Sequence, residues 1–302
     1  MQRNNLSKGL MLALAAAVIS GISVFVNGMA VKMTDPIVYT AMKNIGALIF
    51  LVAVVFAFNE IKNFRNLSRK QWALLILVGI IGGSIPFGLF FWGLKLGGAV
   101  VSSFIYRSLF LFAAVFGFLI LKEKPERNDL IAAFLILAGN AILLSSDLTF
   151  GLGQMVVLVA TVFWALEYTI SRKLLADIEP RVLMVSRMLF GSVVLLSYMF
   201  VTGSASSFIF DSSVLIWLGI TSLLLFGFMT TWYTSLKYIP VFKATAIFTL
   251  GGIVTTVLNL VFLNTVLTLT DLASIVLILI GCAMAIGLSN IIKIGKITID
   301  YA

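Results

Sequence analysis

The chain has no histidine, a single cysteine (Cys282), 5 prolines, and only 11% charged residues among its 302. Without histidine there is no imidazole-based zinc site, no Ser-His-Asp triad and no imidazole proton shuttle. One cysteine forbids an intrachain disulfide. Scarce proline and the absence of Ser-rich or charged low-complexity tracts leave no linker between soluble domains. The charged fraction, set against 61% hydrophobic residues, lies far below the roughly one quarter of soluble chains and excludes a soluble globular protein. No G-x-x-x-x-G-K-S/T phosphate loop is present, so the chain carries no visible ATP engine. No D-x-x-D pair inside or beside an apolar run suggests a metal-dependent lipid transferase. An intramembrane enzyme would have only Lys, Glu, Asp and Ser groups to work with, so the chain is read as a non-enzyme that needs no cofactor.

What remains is long apolar runs. A helical span needs about 20 mostly apolar residues. Cutting the chain at polar clusters, Gly and Pro gives ten expected spans: 8–32, 37–58, 72–95, 98–121, 128–145, 151–173, 181–202, 213–237, 241–264 and 271–292. The first run continues past Val26, beyond a typical signal-peptide core, and is expected to be a retained helix. Two joints have almost no loop and rest on the Gly97-Gly98 pair and on Pro240 alone. Trp72 and Trp217, near helix starts, read as interface anchors.

Basic residues set the orientation. If the N-terminus lies inside, the inside segments hold 16 of the 21 Lys and Arg, among them Lys62, Arg65, Arg69, Lys70, Lys122, Lys124, Arg172, Lys173, Lys293 and Lys296. The outside loops hold Lys32 and Lys95, while Asp147, Asp211 and Asp271 stand there without a basic neighbour. Both termini are therefore expected in the cytoplasm, in a multi-pass protein of the cytoplasmic (inner or plasma) membrane. The basic loops are explained by orientation and require no nucleic acid.

The chain also resembles itself. A shift of 142 residues places Leu94-Lys95 on Leu236-Lys237, Leu121 on Leu263 and Asp129-Leu130 on Asp271-Leu272; a shift of 144 places Asp35-Pro36 on Glu179-Pro180 and Lys43 on Arg187. The expectation is an all-α integral membrane protein with two repeats, residues 1–146 and 147–302. With five spans each, an odd number, the second repeat must run inverted. Inverted repeats meeting near the midplane are the recurring plan of secondary transporters.

Gly-Gly-Ser-Ile-Pro-Phe-Gly at 82–88, Val-Phe-Trp-Ala at 162–165, Trp-Tyr-Thr-Ser-Leu-Lys-Tyr-Ile-Pro at 232–240 and Leu-Lys-Glu-Lys at 121–124, in this order of helices, resemble the drug/metabolite transporter superfamily, EamA type. The resemblance covers nearly the whole chain. It implies a secondary active transporter moving a small organic metabolite, an amino acid or similar solute, by alternating access, with export the commoner direction. One departure is visible: where many members carry Trp-Gly in the first helix, Val18-Ile-Ser-Gly-Ile-Ser23 stands, removing an expected aromatic wall. The rival readings are a lipid-cargo transporter and a structural or regulatory membrane subunit without transport. Monomer and dimer are equally compatible with the chain.

An ionisable group at the centre of a span costs at least about 2.5 kcal/mol, which singles out Lys43, Arg107, Glu167 and Arg187. Arg107 lies about ten residues, roughly 15 Å, from either end of its span. It is expected either to face the cavity and meet substrate or an internal carboxylate, or to bond carbonyls of a broken helix. Lys43 and Arg187, each seven residues beyond a proline, are repeat-related. They read as interface anchors, as locks of a helix to its neighbours, or as gating pairs that form in one orientation and break in the other. Glu167 is the candidate for proton coupling, or is paired with Arg107, Lys43 or Arg172. In the related small multidrug resistance proteins a first-helix glutamate does the coupling, and this helix opens the second repeat. Trp92, Tyr168, Trp232 and Tyr233, with Phe91 and Trp164, are expected around a substrate cavity. Net positive intramembrane charge favours a solute with an anionic group. Glycines 79, 82, 83, 88, 93 and 97 around Pro86 predict a closely packed, kinked third span.

Overall fold

A computed structural model of the chain describes residues 2–33, 35–144, 151–207, 211–287 and 290. The helices are α1 (Gln2–Ala30), α2 (Pro36–Ala57), a single turn α3 (Lys62–Arg65), α4 (Arg69–Gly83), α5 (Ile85–Gly97), α6 (Ala99–Arg107), α7 (Leu109–Phe116), α8 (Arg127–Leu144), α9 (Leu152–Leu174), α10 (Pro180–Thr202), α11 (Ser212–Tyr238), α12 (Val241–Phe248), α13 (Leu250–Leu263) and α14 (Leu269–Ile286). Nine helical stretches among the described residues are long and apolar enough to cross a membrane, α4 with α5 and α12 with α13 each forming one. The expected span 128–145 falls on α8, which stands outside that count and whose last expected residue lies outside the described residues. Asp147, Lys293 and Lys296 also lie outside them.

Helix ends follow from local chemistry. The Asp35 carboxylate accepts the N–H groups of Ile37 and Val38 at 2.9 and 3.1 Å, and Pro36 occupies the first turn, where its missing N–H costs nothing. At the tight joint after α5, Gly98 adopts φ +78°, a left-handed conformation that glycine reaches without penalty, and α6 starts in a new direction. At the other joint Ile239 is extended (φ −125°, ψ 153°) ahead of Pro240, so α11 and α12 are separate helices.

Three spans are broken inside the bundle. Ser84 (φ −130°, ψ −76°) divides α4 from α5, Ser108 divides α6 from α7, and Thr249 divides α12 from α13. The Ser108 and Thr249 hydroxyls each donate to a carbonyl three residues back, at 2.7 and 2.6 Å, competing with the helical ladder.

The helix bounds keep the sequence register. α1 and α9 end at residues 30 and 174, and α2 and α10 start at Pro36 and Pro180, 144 apart. α8 (127–144) and α14 (269–286) match at both ends with a shift of 142, as do the left-handed residues Lys122 and Asn264. Packing is exchanged in the same way: α1 lies against α11 and α13, as α9 lies against α5 and α7, while α8 pairs with α14. In that last pair, a Cβ on Gly139 would meet Ser274 O at 2.9 Å and one on Gly281 would meet Ala132 O at 2.9 Å.

One end of the bundle is ionic. There Arg172 pairs with Glu123 at 3.5 Å, Arg181 with Glu60, Lys237 with Glu179 at 2.9 Å and Lys243 with Asp129 at 3.8 Å. The opposite end holds no ion pair among the described residues. Large apolar side chains such as Phe134, Phe200 and Phe262 cover the flanks, as lipid contact demands.

A tight crossing joins α4 and α10, where a Cβ on Gly191 would lie 2.6 Å from the Gly83 carbonyl carbon and 2.7 Å from its Cα. Backbone cannot yield as a side chain can. Gly191→Val is expected to cost about 3 kcal/mol of stability, read as a clear fall in the melting temperature of detergent-purified protein. Gly219→Ala, at an exposed site with open space around it, should leave that temperature unchanged or slightly raised.

Candidate functional site

The break at Ser84 generates the site. Pro86 has no N–H, so the Gly82 carbonyl four residues back loses its helical partner. Arg187 Nη2 (2.7 Å) and Trp164 Nε1 (3.0 Å) both donate to that oxygen, and Asn44 Nδ2 donates to Gly83 O at 2.7 Å. One defect in α4–α5 thus draws side chains from α2, α9 and α10 to the middle of the bundle.

Arg187 and Glu167 meet there, both fully enclosed. Arg187 Nε lies 3.5 Å from Glu167 Oε2, an ion-pair contact, and Nη1 donates to Met229 Sδ at 3.3 Å. Glu167 accepts from the Ser171 hydroxyl at 2.5 Å and from Tyr233 OH at 2.9 and 3.0 Å. Gly82 leaves room for the carboxylate, since a Cβ there would overlap Glu167 Cγ. Of the expected partners of Glu167, none of Arg107, Lys43 and Arg172 is the one found; Arg187 is.

Arg107 serves a second break. Gly252 N–H bonds Thr249 O at 2.9 Å, which leaves Phe248 O without a helical donor, and Arg107 Nη1 supplies one at 2.8 Å. Nη2 reaches the Ser20 hydroxyl at 3.3 Å, and the guanidinium lies 4.3 Å from the Phe248 ring centre. Of the two roles expected for Arg107, this is the broken-helix role, and no carboxylate pairs with it among the described residues.

Lys43 is 2% exposed, so it is no interface anchor. Its Nζ lies 3.4 Å from Asn27 Oδ1 and over three rings: Phe91 at 3.8 Å, Phe87 at 5.1 Å and Tyr39 at 5.5 Å. Asn27 Oδ1 already accepts from Tyr39 OH at 2.5 Å. No carboxylate pairs with Lys43 among the described residues. Beside it is a cavity of about 50 Å³ lined by Ser20, Ser23, Asn27, Lys43, Phe91 and Tyr168, with Tyr106 and Trp164 closing it. That volume admits water or one small polar group, far less than the several hundred Å³ of an organic-ligand pocket. The described conformation is therefore closed around its centre.

The aromatic expectations divide. Tyr168 lines the cavity, its OH 3.3 Å from Tyr106 OH. Tyr233 holds Glu167, and Trp232 is enclosed between Tyr168 (4.8 Å), Phe228 and Phe248 (5.0 Å). Trp92 belongs elsewhere: it is 42% exposed on the lateral surface, because its position on α5 faces away from the face that carries Phe87 and Phe91. Sequence reasoning missed Ser20, Ser23 and Asn27, although the lost aromatic wall of the first helix was a signal. Ser20 and Ser23 stand on the cavity side of α1.

The ionic end has its own logic. Arg172 caps α11 by donating to Leu236 O and Lys237 O at 2.7 and 2.9 Å, while Glu123 accepts the Val241 N–H at the start of α12 at 3.1 Å. Cation and anion each sit on the helix end whose dipole they complement, and then pair with each other. Burial pushes the Glu123 carboxyl above the ordinary carboxylate range, against the pull of Arg172 and the Val241 N–H.

A multi-pass membrane protein with broken helices around an enclosed polar centre is the architecture of solute transporters. The EamA-like transporter family matches residues 7–145 and again 151–287, and the chain belongs to that family. It is 22% identical over 260 residues to the uncharacterized transporter YyaM of Bacillus subtilis (strain 168), covering 82% of this chain and 83% of that one. It is 24% identical over 196 residues to the uncharacterized transporter sll1164 of Synechocystis sp. (strain ATCC 27184 / PCC 6803 / Kazusa), covering 61% and 56%. A solved crystal structure superposes with a TM-score of 0.72 at 17% identity, over 92% of this chain and 96% of that chain, a likeness of fold.

Removing one member of a buried ion pair costs about 3 kcal/mol or more, because its partner stays charged and enclosed. Arg187→Gln should therefore lower the melting temperature more than the double variant Arg187→Gln/Glu167→Gln does. Additive losses in that double-mutant cycle would mean the two groups are not coupled.

Proposed function

We propose that this protein is a secondary active transporter of a small organic metabolite, an amino acid or similar solute, working by alternating access with export as its direction. Ten spans arranged as two inverted five-helix repeats, residues 1–146 and 147–302, would carry it, with α8 as the fifth span and both termini in the cytoplasm. The observation that carries the reading is the enclosed central cavity, whose walls come from α1, α2, α5 and α6 of one half and α9 and α11 of the other. The register of helix ends and the exchange-related packing support the inverted repeat, because swapping the conformations of two such halves moves an opening from one end to the other.

The ionic end holds the basic loops and would be the cytoplasmic gate, closed in this conformation by four ion pairs. Proton coupling through Glu167 would require Arg187, Ser171 and Tyr233 to release the carboxylate during the cycle. A lipidic cargo is the second reading, favoured by a lateral groove of about 470 Å³ with apolar walls including Ile85, Leu89, Trp92 and Tyr198.

Reconstituted into liposomes, the protein should show uptake of a labelled solute that is saturable and accelerated by unlabelled solute on the opposite side. Unsaturable flux without that acceleration would contradict alternating access, and movement of labelled lipid in its place would favour the second reading.

Glu123 gives the gate a pH dependence whose sign follows by linkage. Its proton is held more tightly in the closed, desolvated state than in an open, solvated one, so acid favours closure. Facing it are Arg172 and the Val241 N–H, with Lys124, Glu126, Asp129 and Lys243 in the adjoining pocket. In a Cys282→Ser background, labelling of Ser20→Cys by an impermeant thiol reagent from the cytoplasmic side should be slower at pH 5 than at pH 8, normalised to unfolded protein. Glu123→Gln should label slowly at both.

A further inference from the structure

The two halves build the same cage around a cation, and only one cage contains an anion. In the second half Arg187 of α10 is surrounded by Glu167 and Ser171 of α9 and by Met229 and Tyr233 of α11. The repeat-related positions in the first half are Lys43 of α2, Ser23 and Asn27 of α1, and Phe87 and Phe91 of α5. The correspondence is spatial as well as sequential: Lys43 lies over the Phe87 and Phe91 rings and against Asn27, as Arg187 lies against Met229, over Tyr233 and beside Glu167. Serine stands at 23 where the second half has the glutamate. Phenylalanine stands at 91 where it has the tyrosine that holds that glutamate.

Among the described residues the cation of the first cage therefore has no carboxylate of its own, and the central cavity opens on that side, with Lys43, Ser23 and Phe91 in its wall. Arg107 and Arg187 are each engaged by a backbone carbonyl of a broken helix, whereas Lys43 meets no such carbonyl among the described residues. An enclosed ammonium without an anion is costly, and a ligand that brings one offsets that cost. About 50 Å³ suits the polar head of such a ligand and not its carbon skeleton, which must occupy the aromatic surroundings in the open states. Those surroundings, Phe87, Phe90, Tyr106 and Trp164, are flat aromatic rings.

We propose that Lys43 receives the carboxylate of a transported organic acid with an apolar aromatic body, the carboxylate taking the place beside Ser23 that Glu167 occupies in the other half. This rests on the reading of the chain as a transporter with a central substrate cavity. No carboxylate lines the cavity to meet an ammonium, so a monoanion fits the cage better than a zwitterion or a cation.

The test is ligand-induced thermal stabilisation of the purified protein in detergent, which requires binding and not transport. Benzoate is expected to raise the melting temperature, with benzamide, benzylamine and phenylalanine giving smaller shifts or none. Lys43→Met should weaken benzoate binding at least tenfold. Because that variant could also disturb the cage, Ser23→Glu provides the second arm: it supplies the carboxylate from the protein itself, and should keep or raise the unliganded melting temperature while abolishing the benzoate shift. Equal shifts with benzoate and benzamide, a larger shift with phenylalanine or benzylamine, or a benzoate shift that survives Ser23→Glu would overturn the proposal. Accelerated exchange of some other solute in liposomes would still leave the transporter reading standing in that case.

Discussion

Every carbonyl freed inside a lipid-spanning bundle has to find a donor within the protein, and that constraint organises the centre of this molecule. Pro86 frees Gly82 O, and the break at Thr249 frees Phe248 O. Arg187 and Trp164 satisfy the first, Arg107 the second. Guanidinium groups suit the task because several donors on one planar head can hold a backbone oxygen and another partner together. Two of the four intramembrane charges thus hold broken helices in place, and a third, Glu167, is engaged by Arg187. Lys43, among the described residues, meets a side-chain amide oxygen and three aromatic rings and holds no freed carbonyl.

The same economy explains the asymmetry between the two ends. Lys122 and Asn264 terminate equivalent spans in the same left-handed conformation. After Lys122 comes Glu123, whose carboxylate reaches the start of α12 and Arg172; after Asn264 comes Thr265, which brings no charge. One backbone geometry used twice therefore carries an ion pair at one end and, among the described residues, none at the other.

Close packing of small residues holds the helices of the bundle together. Gly83 against Gly191, and Gly139 and Gly281 against each other's helices, bring backbones into direct contact. Between lipid-embedded helices such contacts replace the hydrophobic effect as the source of association. The α8–α14 pair is held together in this way along its length.

By itself the sequence determined the membrane class, the approximate spans, the two tight joints and the internal register, because each depends on local hydropathy, on Gly or Pro, or on a repeat printed in the chain; the breaks at Ser108 and Thr249 were not legible in it. It also singled out all four intramembrane charges, since a charge in a long apolar run stands out whatever its surroundings. Which charge does what was decided only by tertiary structure. Lys43 looks like Arg187's equal in sequence; their difference lies in the carbonyl freed on another helix and in Glu167 facing one cage while Ser23 faces the other. Trp92 and Phe91 are neighbours in the chain, yet one is 42% exposed on the flank and the other lies over Lys43. A helix turns about 100° per residue, so the face a side chain presents is fixed only once its neighbours are in place.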